Sequence, residues 1–145
     1  MNENPNRISW KRMFIEIAKV VSKRSSDIKT QVGGVLVKNN RILSIGYNGA
    51  ISNFKYDFNW ATEEKYNYVV HCEENCLMNA AKIGANVEGS ELYITLSPCN
   101  HCIKLICQAG IKKVYYLEEY KDFELTKKIA DNADIELIKI KEEEL

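Results

Sequence analysis

Residues 91–116 read ELYITLSPCNHCIKLICQAGIKKVYY, and this stretch decides the fold. Residues 91–95 and 113–117 are short runs rich in β-branched and aromatic side chains, which is typical of strands. Between them, Pro98 and Gly110 bracket a segment of helical length, because Pro favours the first turn of a helix and Gly the position after its end. A strand, a helix and a second strand in this order predict a sheet covered by helices.

The flanking sequence extends this alternation in both directions. Apolar spacing predicts a first helix, begun by Ser9, then a hairpin of two strands with an Asn-Asn turn, and a helix stopped by Gly84. A helix and a strand are expected to end the chain. The predicted ranges are 8–21, 33–37, 41–46, 72–83, 124–132 and 135–140. Residues 49–67 are aromatic-rich and irregular, which indicates a long functional loop.

Composition indicates one domain, residues 1–145, with the 46% apolar and 28% charged content of an ordinary globular protein. The first residues lack the pattern of a secretory signal and no run is long enough to span a bilayer, so we expect a cytoplasmic protein without a membrane partner. Twenty basic and twenty acidic residues give a net charge of zero. This balance favours a small-molecule ligand over nucleic acid, whose partners are usually basic.

The cysteines and histidines of the chain are concentrated near one another. An odd count of five cysteines, with no secretory signal, favours reduced thiols that serve as metal ligands or small core residues. Both histidines, His71 and His101, stand next to cysteines. This proximity is the first indication of a metal site.

Two short motifs carry the candidate chemistry: His71-Cys72-Glu73 and Pro98-Cys99-Asn100-His101-Cys102. One imidazole and two thiolates, from His71, Cys99 and Cys102, suit zinc, and three protein ligands leave the fourth position open as in catalytic sites. A helix N-terminus favours the thiolate form of both cysteines. We expect parallel strands to bring the starts of both helices to one edge of the sheet.

Glu73 is the candidate catalytic residue, because it lies two positions beyond the predicted histidine ligand. Zinc lowers the pKa of a bound water from about 15.7 to about 7. A neighbouring carboxylate can accept the water's proton and deliver it to a ring nitrogen and then to departing ammonia. The pattern therefore predicts hydrolytic removal of an amino group.

A structural zinc site is the main alternative at this point. It would need a fourth protein ligand, which Cys72, Cys76 or His101 could supply. Such a site would make the protein a non-catalytic zinc module that binds a partner protein or a nucleotide. The presence of Glu73 favours catalysis, because a structural site needs no proton carrier.

The two motifs together form the signature of the zinc nucleobase deaminases. The likeness extends to Gly46-Tyr47-Asn48-Gly49 and to residues 65–71 and 105–112. The chain resembles the deoxycytidylate (dCMP) deaminase family of the cytidine deaminase superfamily. This resemblance implies a three-layer α/β/α sandwich with a central mixed five-stranded sheet.

The resemblance also implies an activity, the hydrolysis of dCMP to dUMP and ammonia, which supplies thymidylate synthesis. Action on dCTP, free cytidine or a tRNA base is the alternative within the superfamily. By the same resemblance, Asn48 should contact the sugar or phosphate and the Cys72 backbone the pyrimidine ring. Lys29 and Tyr120 are further candidates for the 5′-phosphate.

Three other expectations come from the family. We expect one zinc ion per chain, because residues 49–66 lack additional Cys and His residues that could hold a second. Relatives form hexamers or other oligomers, so a homo-oligomer is expected. Relatives are also often activated by dCTP and inhibited by dTTP, and Mg²⁺ could accompany such an effector.

Overall fold

The structure is a computed structural model that describes residues 2–145 and is built on a mixed five-stranded sheet. Its five strands are Gly33–Lys38 (β1), Arg41–Tyr47 (β2), Glu91–Leu96 (β5), Lys113–Glu118 (β6) and Glu136–Lys139 (β7). The strand order is β2-β1-β5-β6-β7, in which β1 runs antiparallel to both neighbours and β5, β6 and β7 are parallel. The predicted sheet is confirmed.

The hairpin between β1 and β2 closes as its sequence predicts. Asn39 and Asn40 have φ of 52° and 60°, the left-handed conformation that asparagine tolerates better than most residues. Two such residues in succession make the turn whose twist matches antiparallel strands. The Asn-Asn pair therefore sets the register of the hairpin.

Four helices complete the sandwich, and they divide unequally between the two faces of the sheet. They are Trp10–Ser22 (α1), Cys72–Lys82 (α2), Asn100–Ala109 (α3) and Phe123–Asp131 (α4). Helix α1 packs alone on one face, with Phe14 against Val35 and Tyr93. Helices α2, α3 and α4 cover the other face, around Leu36 and Ile94. The three-layer prediction is confirmed.

Helix α1 lies close to β1 because of a glycine. A Cβ atom on Gly33 would overlap the backbone of Ala18 and Ser22. The N-terminus of the helix is capped by Ser9, whose Oγ accepts the Arg12 N–H at 3.0 Å. The predicted cap is confirmed.

The predicted irregular segment separates the hairpin from α2. Two short strands, Gly49–Ala50 (β3) and Val69–Val70 (β4), pair antiparallel outside the main sheet, and a 3₁₀ helix covers Glu63–Asn67. Helix α2 therefore follows β4, not a strand of the central sheet. The expectation that parallel strands deliver both helix starts holds for α3 after β5 and is wrong for α2. The small β3–β4 ribbon directs α2 back over the sheet.

None of the helices in residues 2–145 has the length and apolar character needed to cross a bilayer.

Candidate active site and metal centre

The start of α3 presents two thiols in one direction. Cys99 is the N-cap residue, and its Sγ accepts the backbone N–H of Cys102 at 3.4 Å. Pro98 precedes it, and the carbonyl of Pro98 accepts a hydrogen bond from Thr126 Oγ1 of α4 at 3.0 Å. The motif is therefore held by its own helix and by a neighbouring one.

His71 is the N-cap residue of α2, and it meets both thiols. Its Nδ1 lies 3.6 Å from Cys99 Sγ and 3.3 Å from Cys102 Sγ. Its backbone N–H donates to Glu74 Oε1 at 2.9 Å, which ties the residue to the first turn of the helix. All three ligand atoms lie within 4.8 Å of one another.

These distances agree with a shared zinc ion. Bonds of about 2.0 Å to nitrogen and about 2.3 Å to sulfur, at tetrahedral angles, separate the ligand atoms by roughly 3.6 Å. Across residues 2–145, His71, Cys99 and Cys102 are the one group of three His, Cys, Asp or Glu side chains close enough to bind one metal ion. The residues fit the predicted metal in type, number and spacing.

Side chains of helix α2 donate hydrogen bonds to backbone carbonyls of β2 and so hold the helix against that strand. Asn75 Nδ2 donates to Tyr47 O at 2.7 Å, and Asn79 Nδ2 donates to Ile45 O at 2.8 Å. The Cys72 thiol donates to Gly46 O at 3.2 Å. These bonds fix the height of α2 on the sheet, and with it the position of His71.

The charges of the three ligands are interdependent. The pKa of Cys99 is lowered to about 3, mainly by a hydrogen bond from Cys102, although burial opposes the shift. The pKa of Cys102 is raised by the same contact and by burial. The pKa of His71 is raised to about 9, chiefly by its hydrogen bond to Cys99. The cluster thus stabilises a thiolate, the form that binds metals.

Glu73 lies beside this cluster and is buried, with 5% of its surface exposed. Burial is the main cause that raises its pKa to about 7, although a backbone hydrogen bond and the nearby His71 partly oppose the shift. A carboxyl group with a pKa near neutrality can both accept and donate a proton at physiological pH. Glu73 lines the same cavity as His71 and Cys99.

The candidate fourth ligands do not join the cluster. The Cys72 thiol is directed towards β2, and Cys76 is buried in the core between α2 and the sheet. His101 is exposed, and its Nε2 lies 4.0 Å from Glu74 Oε2. Within the described residues, the metal site has three protein ligands, as catalytic zinc sites do.

Three of the four predicted substrate contacts line the cavity. Asn48, Cys72 and Tyr120 are among its walls, whereas Lys29 is exposed and is not among them. The backbone N–H of Lys29 donates to Asp27 Oδ1 at 2.9 Å, within a turn that places Asp27 at the cavity. The contribution of Lys29 to substrate binding therefore stays a prediction.

Asn48 also has a bracing role. Its Oδ1 accepts the Val32 N–H and its Nδ2 donates to the Thr30 carbonyl, both at 2.8 Å. One N–H and one lone pair of the amide are left for a ligand. The residue therefore holds the neighbouring segment while it lines the cavity.

One pair of cavity residues, Asp27 and Lys65, was not predicted from the sequence. Lys65 Nζ lies 3.0 Å from Asp27 Oδ1 and 2.9 Å from Oδ2, and both residues are buried. The partners are 38 residues apart in the chain. No local pattern connects two positions at that separation, so only the fold identifies the pair.

Comparison with known proteins places this site in a family. Residues 8–118 match the family described as the cytidine and deoxycytidylate deaminase zinc-binding region. The chain belongs to this family. The matched range contains all three candidate zinc ligands and Glu73.

Individual relatives give the same result. The chain is 43% identical over 128 residues to a probable deoxycytidylate deaminase of Caenorhabditis elegans, a match that covers 83% of the chain and 64% of the nematode protein. It is 40% identical over 128 residues to the deoxycytidylate deaminase of Mus musculus, covering 82% of the chain and 71% of that protein. The matched region is thus just under two thirds of the nematode protein's length.

A solved structure matches the whole fold. The crystal structure of dCMP deaminase from the cyanophage S-TIM5 in complex with dCMP and dUMP superposes with a TM-score of 0.83 at 33% identity. The match covers 96% of this chain and all of the phage chain. The resemblance to the dCMP deaminase family and the three-layer fold that it implies are both confirmed.

Proposed function

We propose that this protein hydrolyses dCMP to dUMP and ammonia, with zinc bound by His71, Cys99 and Cys102 and with Glu73 as the proton carrier. The single observation that carries the proposal is the convergence of these three ligands at the edge of a cavity that His71, Cys99 and the buried Glu73 line together. The relatives named as deoxycytidylate deaminases support the choice of substrate. The S-TIM5 enzyme, crystallised with dCMP and dUMP, supports it further.

The chemistry divides between the metal and the protein. Zinc at this site supplies a nucleophile at neutral pH, because it lowers the pKa of water. The Glu73 carboxylate accepts one proton from the water and delivers it to ring N3. It then transfers the second proton of the water to the amino nitrogen. The C4–O bond forms, the C4–N bond breaks, and ammonia leaves with both protons accounted for.

The remaining parts of the cavity recognise the substrate. We propose that Asn48 contacts the sugar or phosphate and that the backbone of Cys72 contacts the pyrimidine ring. Tyr120 and Lys29 are proposed as contacts of the 5′-phosphate, and of the two only Tyr120 lines the cavity. These assignments are supported by the lining of the cavity, except for that of Lys29.

A panel of substrates tests the proposed function. Ammonia release by the zinc-loaded protein is measured with dCMP, deoxycytidine, cytidine, dCTP and a tRNA hairpin, each over a range of concentrations. We expect the highest kcat/KM for dCMP. Activity confined to a nucleoside or to RNA would reject the proposed substrate, and inactivity on all five would favour a non-catalytic zinc module.

Assembly, regulation and location are proposed on the family resemblance. We propose that the 145 residues act as one domain that forms a homo-oligomer, with a hexamer as the expected size. Regulation by dCTP and dTTP, with Mg²⁺, is proposed by the same analogy. The free state of all five cysteines supports a reducing compartment such as the cytoplasm. Light scattering with and without each effector tests the assembly, and a monomeric mass would reject it.

A further inference from the structure

The ion pair of Asp27 and Lys65 differs from the other ion pairs of residues 2–145. Each of its side chains is 6% exposed, whereas every other pair has at least one partner that is 39% exposed or more. Removing two charges from water is costly, and an apolar pair of similar size often stabilises a fold as well or better. The position of the pair, in the wall of the cavity, suggests a reason for its presence.

Asp27 organises a segment without regular structure. Residues 25–32 form most of the connection from α1 to β1 and contain neither helix nor strand. Besides Lys65, Asp27 Oδ1 accepts the backbone N–H groups of Lys29 at 2.9 Å and Thr30 at 3.2 Å. Asn48 holds Thr30 and Val32 from the other side. The conformation of this part of the wall therefore depends on side-chain bonds.

Lys65 connects this segment to the long irregular loop. It lies in the 3₁₀ helix Glu63–Asn67, which is capped by Thr62 and precedes β4. Tyr66 follows it and lines the cavity, and Lys65 Nζ lies 5.4 Å from the centre of the Tyr66 ring. The ion pair thus joins two wall segments that come from distant parts of the chain.

The charge of the pair argues against a direct role in binding an anion. Lys65 is the one Lys or Arg among the described residues that line the cavity, and both carboxylate oxygens of Asp27 already neutralise it. A phosphate placed against Lys65 would also approach the Asp27 carboxylate. The pair is better suited to hold neutral hydrogen-bond donors in place than to attract charge.

The cavity residues of these two segments, together with Asn48 and Tyr120, form a recognition wall; those of the segments are Asp27, Thr30, Val32, Lys65 and Tyr66. We propose that the Asp27–Lys65 pair is a positioning device that fixes this recognition wall and so determines how tightly the substrate is bound. This inference rests on the proposed function. The hydrogen bonds and the ion pair of these two side chains involve none of the zinc ligands, so we expect the pair to act on substrate affinity and to leave the chemical step to Glu73.

Steady-state kinetics of Lys65→Met, Asp27→Asn and the double variant test this proposal. We expect each single variant to raise the KM for dCMP by about tenfold or more, with kcat changed by less than about threefold and zinc content unchanged. Because both substitutions remove one shared interaction, the double variant should be no worse than the sum of the single effects and closer to either one alone. Lys127→Met is the matched control, since it breaks the exposed pair with Asp131.

Two outcomes would overturn the proposal. A lower KM for Asp27→Asn would show that the released Lys65 contacts the phosphate itself. A lower melting temperature with an unchanged KM in every variant would show that the ion pair has a purely structural role. Should the neutral variants fail to fold, Asp27→Glu keeps the charge but lengthens the side chain, and here too the KM should rise. An unchanged KM in Asp27→Glu would also overturn the proposal.

The same design separates this proposal from the proposed function. Wild-type protein is first assayed on the full substrate panel, and the variants are then measured with the substrate that it turns over best. Failure of dCMP turnover appears in the wild type and concerns the substrate. Failure of the positioning role appears only as an absent KM effect in the variants.

Discussion

The cavity has two unlike halves, a catalytic floor and a recognition wall. The floor consists of His71, Cys99 and Glu73, which line the cavity, and of Cys102, which completes the metal cluster; all four lie in the first turns or caps of two helices. The wall consists of Asp27, Thr30 and Val32 from the segment 25–32, Lys65 and Tyr66 from the 3₁₀ helix, and Asn48 and Tyr120, and much of it has no regular structure. The floor is held by helix geometry, whereas the wall is held by individual side-chain bonds. Damage to each half should therefore have a different signature.

Loss of a zinc ligand should have the largest effect on the floor. We expect Cys99→Ser to lose its metal on dialysis, to lose deamination with it, and to melt at a lower temperature, because metal binding is coupled to folding. Zinc content by elemental analysis and thermal unfolding measure these effects. Cys107→Ser, on the same helix outside the cluster, should keep its zinc. Full metal content in Cys99→Ser would show that Cys99 is not a zinc ligand.

Glu73→Ala should separate chemistry from metal binding. We expect kcat to fall by about 10²–10⁴-fold, the usual contribution of a general acid–base group. Zinc content and the KM should change little, because Glu73 is not a ligand. The control is Glu124→Ala, which removes an exposed carboxylate from the first turn of α4. Wild-type turnover in Glu73→Ala would rule out Glu73 as the proton carrier.

Glu74 tests how far the floor depends on its helix cap. Glu74→Ala removes the acceptor of the His71 backbone N–H. We expect it to weaken zinc binding by about 10–100-fold, the usual effect of losing a residue that hydrogen-bonds to a metal ligand. Competition with a chelator measures the affinity. Glu74→Gln keeps an oxygen acceptor and should retain most of the affinity. Equal affinities for zinc in wild type and Glu74→Ala would show that the cap is dispensable.

Protonation of Asp27 at low pH should remove the stability that its ion pair with Lys65 gives to the recognition wall. Burial alone would raise the pKa of Asp27, but hydrogen bonds from Lys65 and from the Lys29 and Thr30 backbone outweigh it, and the net pKa is lowered. A lowered folded-state pKa gives stability that is present above the unfolded pKa of about 3.9 and is lost as the pH falls through the folded value. The wild type should therefore be more stable to unfolding than Asp27→Asn near neutral pH, and this difference in stability should be lost below about pH 4.

Thermal unfolding of both proteins from pH 7 to pH 3 checks this prediction. The difference in melting temperature should be constant down to about pH 5 and should then shrink. A difference that does not depend on pH would mean that the Asp27 carboxylate contributes no charge to the pair. This is the smallest of the expected effects, because it concerns one ion pair.

Much of the floor could be predicted from the sequence, because its geometry is local. His71 and Glu73 are two positions apart at one helix start, and Cys99 and Cys102 are three apart at another. Helix geometry then decides which side chains share a face. The route of the chain into α2 could not be predicted in the same way, because two-residue strands such as β3 and β4 are too short to show an alternating sequence pattern.

The wall could be predicted only in part. Asn48 and Tyr120 were identified by resemblance, and both line the cavity. Lys29 was identified in the same way, but the turn that Asp27 stabilises leaves it exposed outside the lining. Asp27 and Lys65 themselves were overlooked, because an acidic and a basic residue in two irregular segments carry no sign that they will meet.

By itself, the sequence determined the alternation of strands and helices, the hairpin turn and the ligands available for a metal. Each of these follows from interactions between residues a few positions apart. Only the tertiary structure decided that ligand atoms from the two helix starts come within 4.8 Å of one another and that a buried ion pair joins residues 38 positions apart. Those arrangements depend on how the helices and loops pack across the sheet, and packing is a property of the whole chain.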